Sequence, residues 1–547
     1  MKRSKTKAAQ LLNVWMLSRE YGEIAGAGGV KDVVRQLAEA LAIIPGTEVR
    51  VVLPLYGFIR PSEHGFVPLK DPLDPSRQLE FAVDMNYSLE ERQERCRIWS
   101  MCSAGVTIYL VEADRFREKM GIYTYSTLDR DLPDWQRPGM GHYDYFAMNV
   151  LLQKSSIELM LLLGEKPDVI HCHDGHTALV PTFINECQGW RNSFRETGCL
   201  VTIHNAGMGY HQEIGDAPFA HAVTGLSWKT IGENRLTGQF DPFLAASHYA
   251  VMNAVSENYA RELQETDGDR ITDWLGHSLL ARGVRLEGVT NGICPELFDP
   301  SLGEKIGLPA AYDPADGQDR LAGKLVCKEH LLALVNAQRA LAGVESYGEL
   351  AGASDEPLFV FIGRLSEQKG VDYFLSAIED LFSSHGHGQA VILGSGSEFF
   401  ESAVRSLVFS DTLKGRLCFL RGFSSELANL VYAAGDFFVI PSRYEPCGLT
   451  DYIAQLFGTV PVVHHVGGLV KVEDGETGIA YGGDSAEALR GALDRAFLLY
   501  ADKDRLRSMQ RQAVETIRKK YTWDVVKQQY LLLYDKAKAR RIDGLAT

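Results

Sequence analysis

Short apolar runs recur along this chain with helix-patterned segments between them, and that rhythm constrains its fold more than any other feature. The first series is Asn13–Ser18, Glu48–Tyr56, Thr107–Ala113, Asp168–His176, Leu200–Gly207, Ala250–Ser256 and Glu287–Ile293. The second is Leu358–Leu365, Ala390–Gly396, Arg416–Phe423, Phe437–Ser442 and Pro461–Gly468. A strand covered on both faces reads as a nearly continuous apolar run, and alternation of such runs with helices is the signature of a parallel α/β sheet. At 547 residues the chain exceeds the roughly 250–300 at which one core stops growing, so the two series predict two doubly wound, Rossmann-like α/β domains. The polar, Gly-containing stretch 343–357 suggests a linker near residues 335–356. The expected organisation is a first domain over 1–335, a second over 336–520 and a closing segment over 521–547. Two such domains would face an interdomain cleft, with ligands beyond the carboxyl ends of the strands.

The formal charge of -15 argues against nucleic acid or an anionic membrane surface as partner, because both need a basic face. An anionic ligand would need a local cationic cluster. Nine scattered cysteines suit reduced thiols in a cytoplasmic protein better than a disulfide framework. The basic and apolar start, Met1–Ser18, imitates a secretion signal, but Gln10 and Asn13 break the run and no small-residue cleavage site follows.

Several strand ends carry residues with chemical potential, each beside a plainer reading. Gly26-Ala27-Gly28-Gly29 follows a strand and precedes a helix patterned by Val33, Val34, Leu37, Ala38 and Leu41. Its glycines suit either phosphate approach to backbone amides or a simple tight turn, and the full dinucleotide spacing is absent. His171-Cys172-His173-Asp174-Gly175-His176 invites a metal. On a strand, however, Cys172 points away from His171 and His173, so no metal is expected. Asp174 fits a sugar pocket or a satisfied loop carboxylate, and His204, at the end of Thr202–Asn205, fits a ligand site or a packed polar residue. Arg364 and Lys369 can grip a pyrophosphate or be solvated surface cations. The string Pro441–Thr450, with Glu445 between Tyr444 and Pro446, is the most distinctive.

Taken together, and in this order, these stretches resemble the bacterial glycogen and plant starch synthases over about residues 11–535. The Ala254–Ala260 string, Asn291–Ile293 and Tyr521-Thr522-Trp523 belong to the same pattern. The resemblance implies a retaining GT-B glycosyltransferase without a cofactor. It would move glucose from a nucleotide-glucose, ADP-glucose before UDP-glucose, to the non-reducing end of an α-1,4-glucan such as glycogen or a maltooligosaccharide. By match, His204 stands beside the reacting glucose, Asp174 is the pocket aspartate, and Glu445 contacts the glucose. Arg364 and Lys369 fall on the donor phosphates. Gly28, Gly29, Asn291, Phe423 (stacking on the base), Cys447, Gly448, Leu449 and Thr450 fall on donor-binding positions.

Departures from the pattern are specific. Gly26-Ala27 stand where the family usually has Lys-Thr, Gly175 where it has tryptophan, and Asp451 where it has glutamine; the lysine common before the Ala254 string is absent from Phe243–Ala246. They leave open a UDP-glucose enzyme, a weakened relative that still binds glucan or nucleotide-sugar, and a GT-B enzyme with another acceptor such as a phosphorylated sugar. A phosphorylase would need a pyridoxal phosphate lysine site, for which no motif is found.

Overall fold

The computed structural model describes residues 12–130, 132–207, 209–337 and 343–546. The basic lead Met1–Leu11, where the secretion question arises, lies outside the described residues. The chain forms two compact units, one of Met1–Gly292 with Val526–Thr547 and one of Ile293–Val525.

In the first unit the sheet runs, edge to edge, Glu287–Gly288, Val251–Ala254, Gly198–Ile203, Val169–His173, Leu12–Leu17, Thr47–Pro54 and Val106–Glu112, all parallel. Gln93–Ser103 then continues it antiparallel. Leu12–Leu17 sits mid-sheet, and Val14 through Leu17 have no solvent exposure. The helix Val30–Ala42 buries Val33, Val34, Leu37, Ala38 and Leu41, the face its spacing predicts. The final helix, Trp523–Ala546, packs Tyr530, Leu533, Tyr534 and Ala537 into this unit. It comes so close at Gly198 that a Cβ there would lie 2.6 Å from the Ala537 carbonyl carbon. Arg540 secures it by donating to the carbonyls of Ser247, His248 and Ala250.

The second unit holds a sheet ordered Val344–Gly348, Leu417–Gly422, Gln389–Gly394, Leu358–Ile362, Phe437–Ile440, Val460–His464 and Ile479–Tyr481, parallel except for its first strand. Its division from the first unit, at Gly292/Ile293, falls well before the boundary expected at 335. The cause is packing. The helix Ala322–Asn336 buries Cys327, Leu331, Leu332 and Val335 in the second unit's core, and Val344–Gly348, within the expected linker, is an antiparallel edge strand. An edge strand keeps one face wet, so its sequence alternates and resembles a loop. All nine cysteines are free thiols. No described helix is long and apolar enough to cross a membrane.

Candidate active site

In the first unit, the strands Val169–His173 and Gly198–Ile203 lie side by side and deliver Asp174 and His204 at their carboxyl ends. Asp174 adopts φ +60°, which turns its carboxylate back over the neighbouring strand end. There Oδ1 accepts the backbone amides of His204 (2.7 Å) and Asn205 (3.2 Å). Burial pushes the Asp174 carboxyl up to about 8 despite those two bonds. Burial also takes the His204 imidazole down to about 3. Burial thus disfavours the charged form of both groups. The rings of His171 and His173 lie 4.1 Å apart, tilted by 34°. Among the described residues no cluster of three or more His, Cys, Asp or Glu side chains has the geometry to hold a metal.

The loop that follows is pinned by a buried pair. His211 Nδ1 lies 2.9 Å from Asp241 Oδ2, and His211 Nε2 donates to the Ala206 carbonyl at 2.7 Å. Burial pulls the His211 imidazole down, but the hydrogen bond and charge of Asp241 outweigh it and raise the group to about 9. The backbone of this loop fills the space beside Gly175, where a Cβ would meet the His211 carbonyl oxygen at 2.1 Å. A tryptophan has no room at 175 in this chain.

The glycine loop holds a carboxylate of its own. Glu20 Oε2 accepts the amides of Ala27 (2.6 Å) and Gly28 (2.9 Å), while Oε1 accepts the Tyr123 hydroxyl at 2.5 Å. Gly28 and Gly29 are exposed, and Gly29 opens the helix Val30–Ala42. Gly26 is crossed by the Lys31 side chain, whose Cδ would lie 2.2 Å from a Cβ at 26 and whose Nζ donates to Glu23 at 2.9 Å. Glu20, Tyr123 and Lys31 escape a reading of the sequence because they come from three separate segments. Asn291, the last of the expected residues in this unit, is buried after the short strand Glu287–Gly288.

In the second unit two loops at strand ends are stitched together. Arg443 N donates to the Gln368 carbonyl (2.9 Å), Gln368 Nε2 to the Tyr444 carbonyl (3.1 Å), and the Arg443 guanidinium grips both Asp372 oxygens at 2.8 and 2.6 Å. Gly370 has φ +66°, and a Cβ there would lie 2.1 Å from the Pro441 carbonyl oxygen, so no larger residue allows this approach. The stitching brings Lys369 Nζ to 2.5 Å from Glu445 Oε2, which also accepts Ser442 Oγ at 3.0 Å. Arg364 is exposed on the loop that leads to Lys369.

Beneath this loop runs a second tie. Gly467 and Gly468 pass against the backbone of Glu445 and Cys447, and Gly468 N donates to the Glu445 carbonyl at 2.9 Å. Lys471 donates to the carbonyls of Cys447, Gly448 and Gly468, and its ammonium lies 3.1 Å from the fully buried Asp451. Burial raises the Asp451 carboxyl to about 6 against the charge of Lys471. Asp451, a departure from the family pattern, therefore belongs to a lysine–carboxylate staple that fixes Cys447 and Gly448. Leu449 and Thr450 begin the helix Thr450–Leu456, and Phe423 stands exposed just after the strand Leu417–Gly422.

Residues 13–277 match the family model for the starch synthase catalytic domain, and residues 356–497 match that for glycosyl transferases group 1. The chain is similar to the glycogen and starch synthases over nearly its whole length. It is 29% identical over 549 residues to glycogen synthase 1 of Geobacter sulfurreducens, covering 97% of both chains. With the glycogen synthase of Photobacterium profundum it shares 28% identity over 541 residues, covering 96% of this chain and 94% of that one. Among solved structures it is similar to the catalytic domain of starch synthase IV from Arabidopsis thaliana bound to ADP and acarbose, with TM-score 0.75, 23% identity, and coverage of 97% of this chain and 100% of that one. The fold is GT-B, two α/β units, and members of the family are glycosyltransferases.

Proposed function

We propose that this protein transfers glucose from ADP-glucose to the non-reducing end of an α-1,4-glucan, with retention of the anomeric configuration and no metal requirement. The first unit takes the glucan and the second takes the nucleotide-sugar. The observation that carries this reading is the contact of Lys369 with Glu445, which sets a cation suited to a diphosphate beside a carboxylate suited to sugar hydroxyls on one rigid pair of loops. The ADP and acarbose bound by the Arabidopsis protein support the same pairing of a nucleotide with a glucan-like ligand.

In this mechanism Arg364 and Lys369 neutralise the diphosphate as the bond from glucose C1 breaks and its electron pair leaves with the phosphate. The glucan O4 attacks C1 on the face the phosphate leaves, and its proton passes to a phosphate oxygen. Glu445 holds the glucose, Asp174 and His204 line its pocket, and Asn291, Phe423 and the Cys447–Thr450 segment hold the rest of the donor with Gly28 and Gly29. Radiolabel transfer from ADP-glucose and UDP-glucose, assayed in parallel with glycogen and maltooligosaccharides, tests this. Incorporation from ADP-glucose supports the reading. A tenfold or greater preference for UDP-glucose in kcat/KM overturns the donor, and tight glucan binding without incorporation identifies a non-catalytic relative.

A further inference from the structure

Three histidines on the strands Val169–His173 and Gly198–Ile203 and at their carboxyl ends form a column, joined by one ring contact and one hydrogen bond, whose proton positions follow from complete accounting. Thr202 Oγ1 donates to Asn253 Oδ1 at 2.7 Å, so it accepts from His171 Nε2, also at 2.7 Å. His171 Nδ1 then accepts from the Tyr534 hydroxyl at 3.0 Å. Tilted against that ring, His173 places its Nδ1 2.9 Å from His204 Nε2. The other nitrogen of His173, Nε2, is buried with no hydrogen-bond partner among the described residues.

Burial holds His173 well below the ordinary imidazole range and His204 near 3, so each ring carries one proton at neutral pH. Two arrangements satisfy the contact. If His204 Nε2 donates, the proton of His173 sits on Nε2, an N–H buried with no acceptor. If His173 Nδ1 donates, only a lone pair is left over. Orphaned buried N–H groups are rarer than under-satisfied acceptors, so the second arrangement holds.

We propose that His173 is a positioning residue that donates from Nδ1 to His204 Nε2, fixing His204 as its Nδ1–H tautomer and making its remaining nitrogen a hydrogen-bond donor toward a sugar oxygen. His204 Nδ1 forms no hydrogen bond with the described residues, which leaves it available for that contact. The choice of tautomer by the bond on the far nitrogen is a general property of imidazole. The inference rests on His204 standing beside the glucose, but the tautomer itself is readable without turnover.

The test is two-bond proton–nitrogen NMR on the full chain labelled with 15N-histidine, with His204→Gln and His173→Asn used for assignment. The expected spectrum has pyrrole-type Nδ1 in both His173 and His204, and pyrrole-type Nε2 in His171. A His204 proton on Nε2 overturns the proposal. Kinetics give the second arm. His173→Asn places an amide N–H near the Nδ1 donor and should keep kcat within about threefold, whereas His173→Leu should lower kcat about tenfold or more with little change in donor KM and show mixed His204 tautomers. If His173→Leu does not fold, His173→Gln, whose amide extends one bond further, takes its place with the same expected split. A variant without the donor that keeps the Nδ1–H signal and wild-type kcat overturns the role. Absence of transfer by the unaltered protein counts against the glucan-synthase reading alone, because the NMR arm reads the tautomer by itself.

Discussion

At the residue scale, the Lys369 ammonium faces the Glu445 carboxylate in the free protein. In the proposed mechanism it turns to the diphosphate when donor binds. Lys369→Ala should therefore lower kcat by about two orders of magnitude or more, as expected for loss of a transition-state electrostatic contact worth roughly 3–4 kcal/mol. Steady-state kinetics check this, and a variant with unchanged kcat and kcat/KM removes Lys369 from the mechanism. Gly26 gives a sharper residue-level expectation. Restoring a lysine there meets the Lys31 stem, since a Cβ would lie 2.2 Å from Lys31 Cδ. Gly26→Lys alone should thus be less stable than Gly26→Lys with Lys31→Ala, a non-additivity of about 0.5–3 kcal/mol in a double-mutant cycle of urea denaturation. Additive effects would show that Lys31 moves aside freely. Asp174, His204, Glu445 and Lys369 stand out as candidates in the sequence because strand ends and a ten-residue string mark them. The residues that hold the neighbouring loops do not. Glu20 and Lys471, like the contact of His173 with His204, act across strand ends or between loops, and no local spacing records those contacts.

At the element scale, the loops at the strand ends are held by ties that the sequence shows only as isolated residues. The His211–Asp241 pair is one. Because the His211 imidazole is raised from about 6.5 to about 9, its stabilisation is fully present below pH 6.5 and is lost as pH rises through 9. Asp241→Asn, which can still cap Leu244 N, should cost about 1–3 kcal/mol near pH 6.5 and reduce the fall in stability between pH 6.5 and 9. Denaturation at a series of pH values checks the sign, and an unchanged slope in the variant would show that His211 is not the titrating group. Gly467 is another tie, with φ +50° and a would-be Cβ 2.0 Å from the Glu445 carbonyl oxygen. Gly467→Ala should displace Glu445, lowering kcat and destabilising by more than about 1 kcal/mol. Parallel strands were legible as apolar runs because both of their faces are covered. Gln93–Ser103 and Val344–Gly348 were not, since an antiparallel strand with one wet face mixes polar and apolar residues and breaks the apolar run.

At the scale of the whole molecule, the number of domains followed from length and the two series of runs, whereas the boundary did not. Gly292/Ile293 carries no change of composition, and the helix Ala322–Asn336 joins the second unit through buried contacts that only the folded chain reveals. The closing helix joins the first unit, where Tyr534 backs the histidine column, so truncation before Trp523 should cost the first unit's stability as well as activity. The proposed chemistry rests on protein cations, so activity should survive EDTA; complete loss with rescue by a divalent ion would refute that part. The central claim is glucosyl transfer to glucan, and it is tested most directly by following labelled glucose from ADP-glucose into glycogen with the unaltered protein and with Glu445→Ala. The account predicts incorporation, sensitive to digestion by an α-1,4-specific glucanase and lowered at least about a hundredfold in the variant. No incorporation from either ADP-glucose or UDP-glucose, or equal incorporation by the Glu445→Ala protein, would contradict it.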